Sequence, residues 1–165
     1  MDKYYYFVAQ LPTQFFGKET DITSEKFLTE AEKWLDVADY SILSRVDINN
    51  YLPDKRNPRI LQGYQHFEEQ LRTDIARFRE ARKKETDYKP AAIPAAILKE
   101  GNPLQVEQKL LELRWNVIDE MQRDHHFDLA FLILYYLKLQ ILTRYFTFNK
   151  EEGMKKFQQL CEVSL

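Results

Sequence analysis

The segment from Phe127 to Phe148 constrains this chain more than any other. It reads Leu129-Ala130-Phe131-Leu132-Ile133-Leu134-Tyr135-Tyr136-Leu137, meets Lys138, and continues through Leu139, Ile141, Leu142, Arg144, Tyr145 and Phe146. A helix on a protein surface carries one apolar stripe and one polar face, whereas this one is apolar nearly all round and so must be surrounded by protein. A membrane span needs about 18 to 20 apolar residues, and the unbroken run from Leu129 ends at nine residues when it reaches Lys138. The expectation is a central helix wrapped by the rest of the fold, or one whose wrapping a partner completes, with no direct membrane insertion.

The chain has enough material to do the wrapping. At 165 residues it can bury roughly 70% of its unfolded surface without disulfides or metals. Only 4 residues are glycine, which disfavours the many tight turns of an all-β fold and favours long helices. Ser24 is placed to cap a helix in which Phe27, Leu28, Ala31, Trp34 and Leu35 share one face. Asp36 is placed to cap the next, with Ala38, Ile42, Leu43 and Val46. A long helix is predicted over Ile60–Lys84, its stripe formed by Tyr64, Phe67, Leu71, Ile75 and Phe78. Its other face carries Glu68, Glu69, Arg72, Arg79, Glu80 and Arg82, read as solvated and laced by i to i+4 pairs. Pro103 suits a first helical turn, predicting a helix over Leu104–Arg123 with Leu110, Leu111, Trp115, Ile118 and Met121 inward. A final helix is predicted over Glu151–Val163. The aromatic opening, Tyr4 to Leu11, fits a buried strand or a buried helix, and the lack of another strand-like segment to pair with it favours helix. Pro12–Ile22, Asn49–Pro58 and Glu85–Pro103 read as breaks. The resulting class is all-α: a compact multi-helix bundle, one domain over 1–165, with sub-lobes 1–84 and 104–165 joined by a proline-rich segment around the apolar C-terminal helix.

The residues that carry chemistry are few. Cys161 is the one cysteine, which excludes an internal disulfide and a thiolate metal cluster and suits a reducing compartment. The opening apolar run is too short for a signal peptide, so a cytoplasmic protein is expected. His125 and His126 stand between Asp124 and Asp128, but neighbours on a helix point about 100° apart, and helical zinc sites use i and i+4. A polar helix junction explains them better. No nucleophile elbow, phosphate-cradling glycine loop or dinucleotide fingerprint is present, and no catalytic residue or cofactor is expected. The basic run Arg72, Arg77, Arg79, Arg82, Lys83 and Lys84 is interleaved with Glu69, Asp74, Glu80 and Glu85, and the formal net charge is −2; both argue against nucleic-acid binding. Lys138 and Arg144 interrupt the apolar helix, either snorkelling to the surface on buried stems or pairing with a partner's carboxylates.

Three stretches carry a resemblance: Glu112-Leu113-Arg114-Trp115, Phe127-Asp128, and Tyr135-Tyr136-Leu137-Lys138-Leu139-Gln140-Ile141-Leu142-Thr143-Arg144. With the opening Tyr4 to Pro12, they make the chain resemble, over essentially its whole length, a small bacterial family encoded among the subunits of vacuolar-type (A/V-type) ATPases. That family is similar to the ATPase C subunit (also called subunit d), an all-helical adaptor between the central rotor stalk and the membrane ring. The resemblance implies a non-catalytic accessory or rotor-coupling subunit, cytoplasmic and peripheral to the membrane, whose partners are central-stalk or membrane-ring subunits. The chain is about half the length of a full C subunit, which leaves open action as a single copy, as a homodimer or in assembly. Lys138, Arg144, Arg72, Arg79 and Arg82 are the candidate contact residues. The alternatives are a stand-alone helical regulator or scaffold, whose apolar helix is buried by its own chain, and a metal-assisted hydrolase using His125 or His126.

Overall fold

The computed structural model describes residues 3–99, 101–148 and 150–162. Among them the elements are all helical: α1 (Tyr5–Gln10), α2 (Ser24–Trp34), α3 (Val37–Leu43), α4 (Arg59–Lys83), α5 (Ala95–Leu98), α6 (Pro103–Gln122), α7 (Leu129–Thr147) and α8 (Lys150–Glu162). The aromatic opening is therefore a helix, as its lack of a pairing partner suggested.

α7 is the axis of the molecule. It packs most extensively on α6 and is closed in by α2, α3 and α4. From Leu132 to Leu142 every residue except Gln140 is buried. By length and composition alone α7 qualifies as a membrane span, which the nine-residue count misses; in this fold other helices cover it. Gln140 serves the same enclosure differently. Its amide accepts from the Ile48 N–H at 2.8 Å and donates to the Val46 carbonyl at 2.9 Å, satisfying a turn after α3 that has no helical partners of its own.

Aromatic packing fastens the N-terminal helices to α7. Phe27 is fully buried, with its ring centroid 5.4 Å from Tyr135, 5.3 Å from Tyr136 and 5.7 Å from Phe7. Rings at such separations bury about 150–250 Å² each and add about 0.5–1.5 kcal/mol per pair beyond area. The Tyr135 hydroxyl donates to the Pro12 carbonyl at 2.8 Å, so its polar tip is satisfied at the core's edge. The Tyr4 N–H donates to the Phe127 carbonyl at 2.9 Å, tying the N-terminus to the junction before α7. The main core takes residues from α1 to α4 and from α6 and α7 together, so both sides of the proline-rich segment build one interior.

That segment is itself anchored. Ile93 and Leu98 join Leu71 of α4 and Leu110 of α6 in a second, smaller apolar cluster. Asp74, buried on α4, accepts from the Tyr88 hydroxyl at 2.8 Å and from the Ala92 N–H at 2.5 Å. An apparent linker is thus stitched to α4 at both levels, apolar and polar.

The caps correct several expectations. Thr23, not Ser24, caps α2, its hydroxyl accepting from the Lys26 N–H; Ser24 is the first helical residue. Asp36 caps α3 as expected, accepting from the Asp39 N–H at 2.8 Å. Asn102 caps α6 ahead of Pro103, and Asp128 caps α7 by accepting from the Phe131 N–H at 2.8 Å. Trp34 is 43% exposed because α2 ends there and the chain turns at Leu35; Ala38 is exposed too. Val163, the expected end of α8, lies outside the described residues.

α4 closes with a Schellman arrangement. The Thr86 N–H donates to the Ala81 carbonyl at 2.9 Å and the Glu85 N–H to the Arg82 carbonyl, with Glu85 between them at φ 55°. This left-handed position normally belongs to glycine, and a side chain there costs about 1–2 kcal/mol. Glu85→Gly relieves that strain against a backbone-entropy cost of about 0.5–1 kcal/mol. The expected net gain is about 0.5–1 kcal/mol, measured as a higher urea midpoint at unchanged m-value; a loss of stability would show that the turn is not strained.

Candidate functional site

The candidate contact cations have different fates. Lys138 is 6% exposed. Its ammonium pairs with Asp119 and donates to the Gln122 side chain at 2.9 Å, and it lies 4.9 Å from the centre of the Trp115 ring. It neither snorkels free nor waits for a partner: α6, the neighbouring helix, supplies all three contacts. The reason lies in the pairing of α6 with α7, which brings Asp119 and Gln122, one turn apart, to the one charged position in the buried stretch of α7. Arg144 is half exposed and pairs with Glu107 of α6 at 2.7 Å, repeating the same cross-helix logic nearer the C-terminal end of α7. Arg72 has its guanidinium 4.2 Å from the centre of the Tyr51 ring and bonds to Glu68 at 2.9 Å. Arg79 and Arg82 are exposed.

Glu68 is the largest correction to the sequence reading. Expected on the solvated face of α4, it is fully buried. Arg114 of α6 donates to both of its oxygens, Nε to Oε2 and Nη2 to Oε1, each at 2.8 Å, and Arg72 adds the third bond. Arg114 is itself buried, so this is a forked guanidinium–carboxylate pair within the core. Burial drives the Glu68 carboxyl towards its neutral form, but hydrogen bonding and charge from Arg114 and Arg72 outweigh that and hold its pKa below the ordinary value. For Arg114 burial works against the charge and Glu68 more than restores it, leaving its pKa raised. The sequence held one signal of this pair: Glu112-Leu113-Arg114-Trp115 places a cation beside inward-facing Trp115 and Leu111.

The histidines form no centre. His125 Nδ1 lies 2.7 Å from Asp128 Oδ2, so it braces the carboxylate that caps α7. Among the described residues no group of three His, Cys, Asp or Glu side chains is placed to hold a metal ion.

The surface feature that sequence reading did not single out is on α8. Met154, Phe157 and Leu160 recur at steps of three and are 51%, 63% and 71% exposed. All described side chains of α8 from 153 to 161 are exposed. Lys155 and Lys156 flank the apolar row. The spacing was visible in the sequence; what was not visible is that the rest of the described chain leaves this face uncovered.

The fold and these sites define an all-helical protein with a buried ion-pair core and an uncovered amphipathic C-terminal helix. A protein-family model described as "Protein of unknown function (DUF2764)" matches residues 95–163, the part running from α5 through α8. No curated protein and no solved structure matches the chain.

Removing one partner of the central pair should be costly. Glu68→Gln leaves Arg114 charged and buried, and a loss of about 3–5 kcal/mol is expected. Replacing both Glu68 and Arg114 with Met should return most of that. The pH dependence follows from the depressed Glu68 pKa: its stabilisation is complete above the unfolded-state value of about 4.3 and is lost as pH falls through the lower folded-state pKa. Urea midpoints between pH 3 and 7 should therefore fall more steeply for the native chain than for the double Met variant. Parallel curves would rule out the pair as the source.

Proposed function

We propose that this protein acts by binding another protein, as a non-catalytic accessory or rotor-coupling subunit of a V-type ATPase. The observation that carries the protein-binding part is the exposed apolar row of α8, where Met154, Phe157 and Leu160 recur on one helix. Exposed apolar rows on amphipathic helices mark docking faces, and anchors at i, i+3 and i+6 suit a helix laid into an apolar groove. Lys155 and Lys156 beside the row favour a groove with an acidic rim. The ATPase part rests on the sequence resemblance, since the matched family has no assigned function.

An adaptor of this kind transmits force through contacts and must not shear internally. Stacked rings around Phe27 and charge-paired contacts between α6 and α7 suit that demand, because each ties separate helices together. The exposed Arg79 and Arg82 remain candidate contacts; Lys138 is held within the chain. The burial of α7 by the chain itself favours the second reading, a stand-alone helical regulator or scaffold, for which α8 would serve a different partner.

A tagged pull-down from native membranes, followed by mass spectrometry, separates the two. The adaptor reading expects central-stalk subunits at fixed stoichiometry, with recovery cut about thirtyfold or more by Phe157→Asp combined with Leu160→Asp and no change in melting temperature. Recovery of the protein alone, with the ATPase kept intact, would overturn it in favour of the stand-alone regulator.

A further inference from the structure

The anchored segment between α4 and α6 forms one wall of a cleft of about 620 Å³, within the size range of small-molecule sites. Its opposite wall is the last turns of α4. Arg82 from α4, Lys89 from the segment and Lys99 after α5 converge on it, with Asp87 the single carboxylate in the lining. The rings of Phe78 and Tyr88 complete it.

Two features mark this cleft. Some surface cations are matched locally: Lys84 with Glu80, Lys33 with Glu30, Arg56 with Asp54. Here none of the three cations has an ion-pair partner among the described residues, although the chain as a whole carries a formal charge of −2. Like charges gathered around a concavity repel one another, and a bound anion removes that cost. The cleft is also formed in advance. Tyr88 is held by its hydroxyl bond to Asp74, and Ala92 by its N–H bond to the same carboxylate, while Ile93 and Leu98 are buried beneath. A wall fixed in this way loses little entropy on binding.

We infer that this cleft is a binding site for a small phosphate-bearing molecule with a planar ring, the chemistry of a nucleotide. The three cations take the phosphates and Phe78 and Tyr88 take the ring, by stacking of the kind that holds bases on aromatic side chains. Asp87 opposes the charge and limits affinity. The site is separate from α8 and does not depend on the identity of any protein partner.

Isothermal titration of the full chain at low ionic strength, without divalent cations, tests this with four probes: ATP, pyrophosphate, adenosine and a short polyglutamate peptide. Expected are saturable ATP binding below about 1 mM, weaker binding of pyrophosphate, and weakening of both as salt rises. Lys89→Ala combined with Lys99→Ala should weaken ATP at least about tenfold. Phe78→Leu should weaken ATP while leaving pyrophosphate unchanged, and Asp87→Asn should tighten both. The ligand-free melting temperature of each variant checks its fold. No ATP binding at 1 mM (about the weak limit for a specific site) would overturn the inference. So would ATP binding unaltered by the double lysine variant, or binding of polyglutamate without ATP, which would instead make the cleft a dock for an acidic peptide segment.

Discussion

Everything in this fold follows from the need to enclose α7. A helix that is apolar on all sides cannot lie on a surface, so neighbours must arrive from every direction, and α6, α2, α3 and α4 do so. The aromatic rings make the enclosure possible with short helices. Phe27 alone contacts rings from both α1 and α7, so one side chain on an eleven-residue helix holds three elements together. Polar atoms reach the same axis only where a partner meets them, as Gln140 does for the turn at Val46 and Ile48.

Apolar enclosure by itself does not set register. Leucine and isoleucine on α7 would accept several alignments of α6 at similar cost, and charge removes that freedom. Lys138 meets Asp119 and Gln122, Arg144 meets Glu107, and Arg114 meets Glu68. A slip of one helical turn would strand the buried Lys138, Arg114 and Glu68, and an unpaired buried charge costs several kcal/mol. Against well-packed apolar residues such pairs add little net stability. Their effect here is to make the wrong alignments expensive, which fixes α4, α6 and α7 relative to one another.

The elements that were legible in the sequence were those with a strong local signal. The all-round apolar run of α7, the three-and-four spacing of Phe27 and Ala31, and the Asp36 cap each depend on neighbours within a few residues. What could not be read was tertiary. Glu68 sits among Glu69, Arg72 and Arg79 and has the sequence context of a solvated face; its burial depends on Arg114, 46 residues away. The proline-rich stretch gave every local sign of a linker, and its anchoring depends on Asp74, 18 residues before Ala92. Lys138 posed a choice between surface and partner because nothing near it in sequence announces Asp119. On α8 the sequence predicted a helix and no more; the exposure of Met154, Phe157 and Leu160 is a property of the packed structure.

The exposed row on α8 and the cation-lined cleft beside α4 point in one direction. A chain that encloses its most apolar helix, matches its buried charges and stitches down its proline-rich segment has met the ordinary demands of folding. What remains uncovered is then informative, because the cost of leaving it so was not forced by a shortage of core. The apolar row on α8 loses the free energy that burial of three large side chains would contribute, roughly 1.5–3 kcal/mol each when complete. The cleft beside α4 is lined by three cations, Arg82, Lys89 and Lys99, against the single carboxylate of Asp87. Neither feature helps the isolated protein fold. Each is explained if the folded chain meets something else there: an apolar groove for the helix, and a small anion for the cleft.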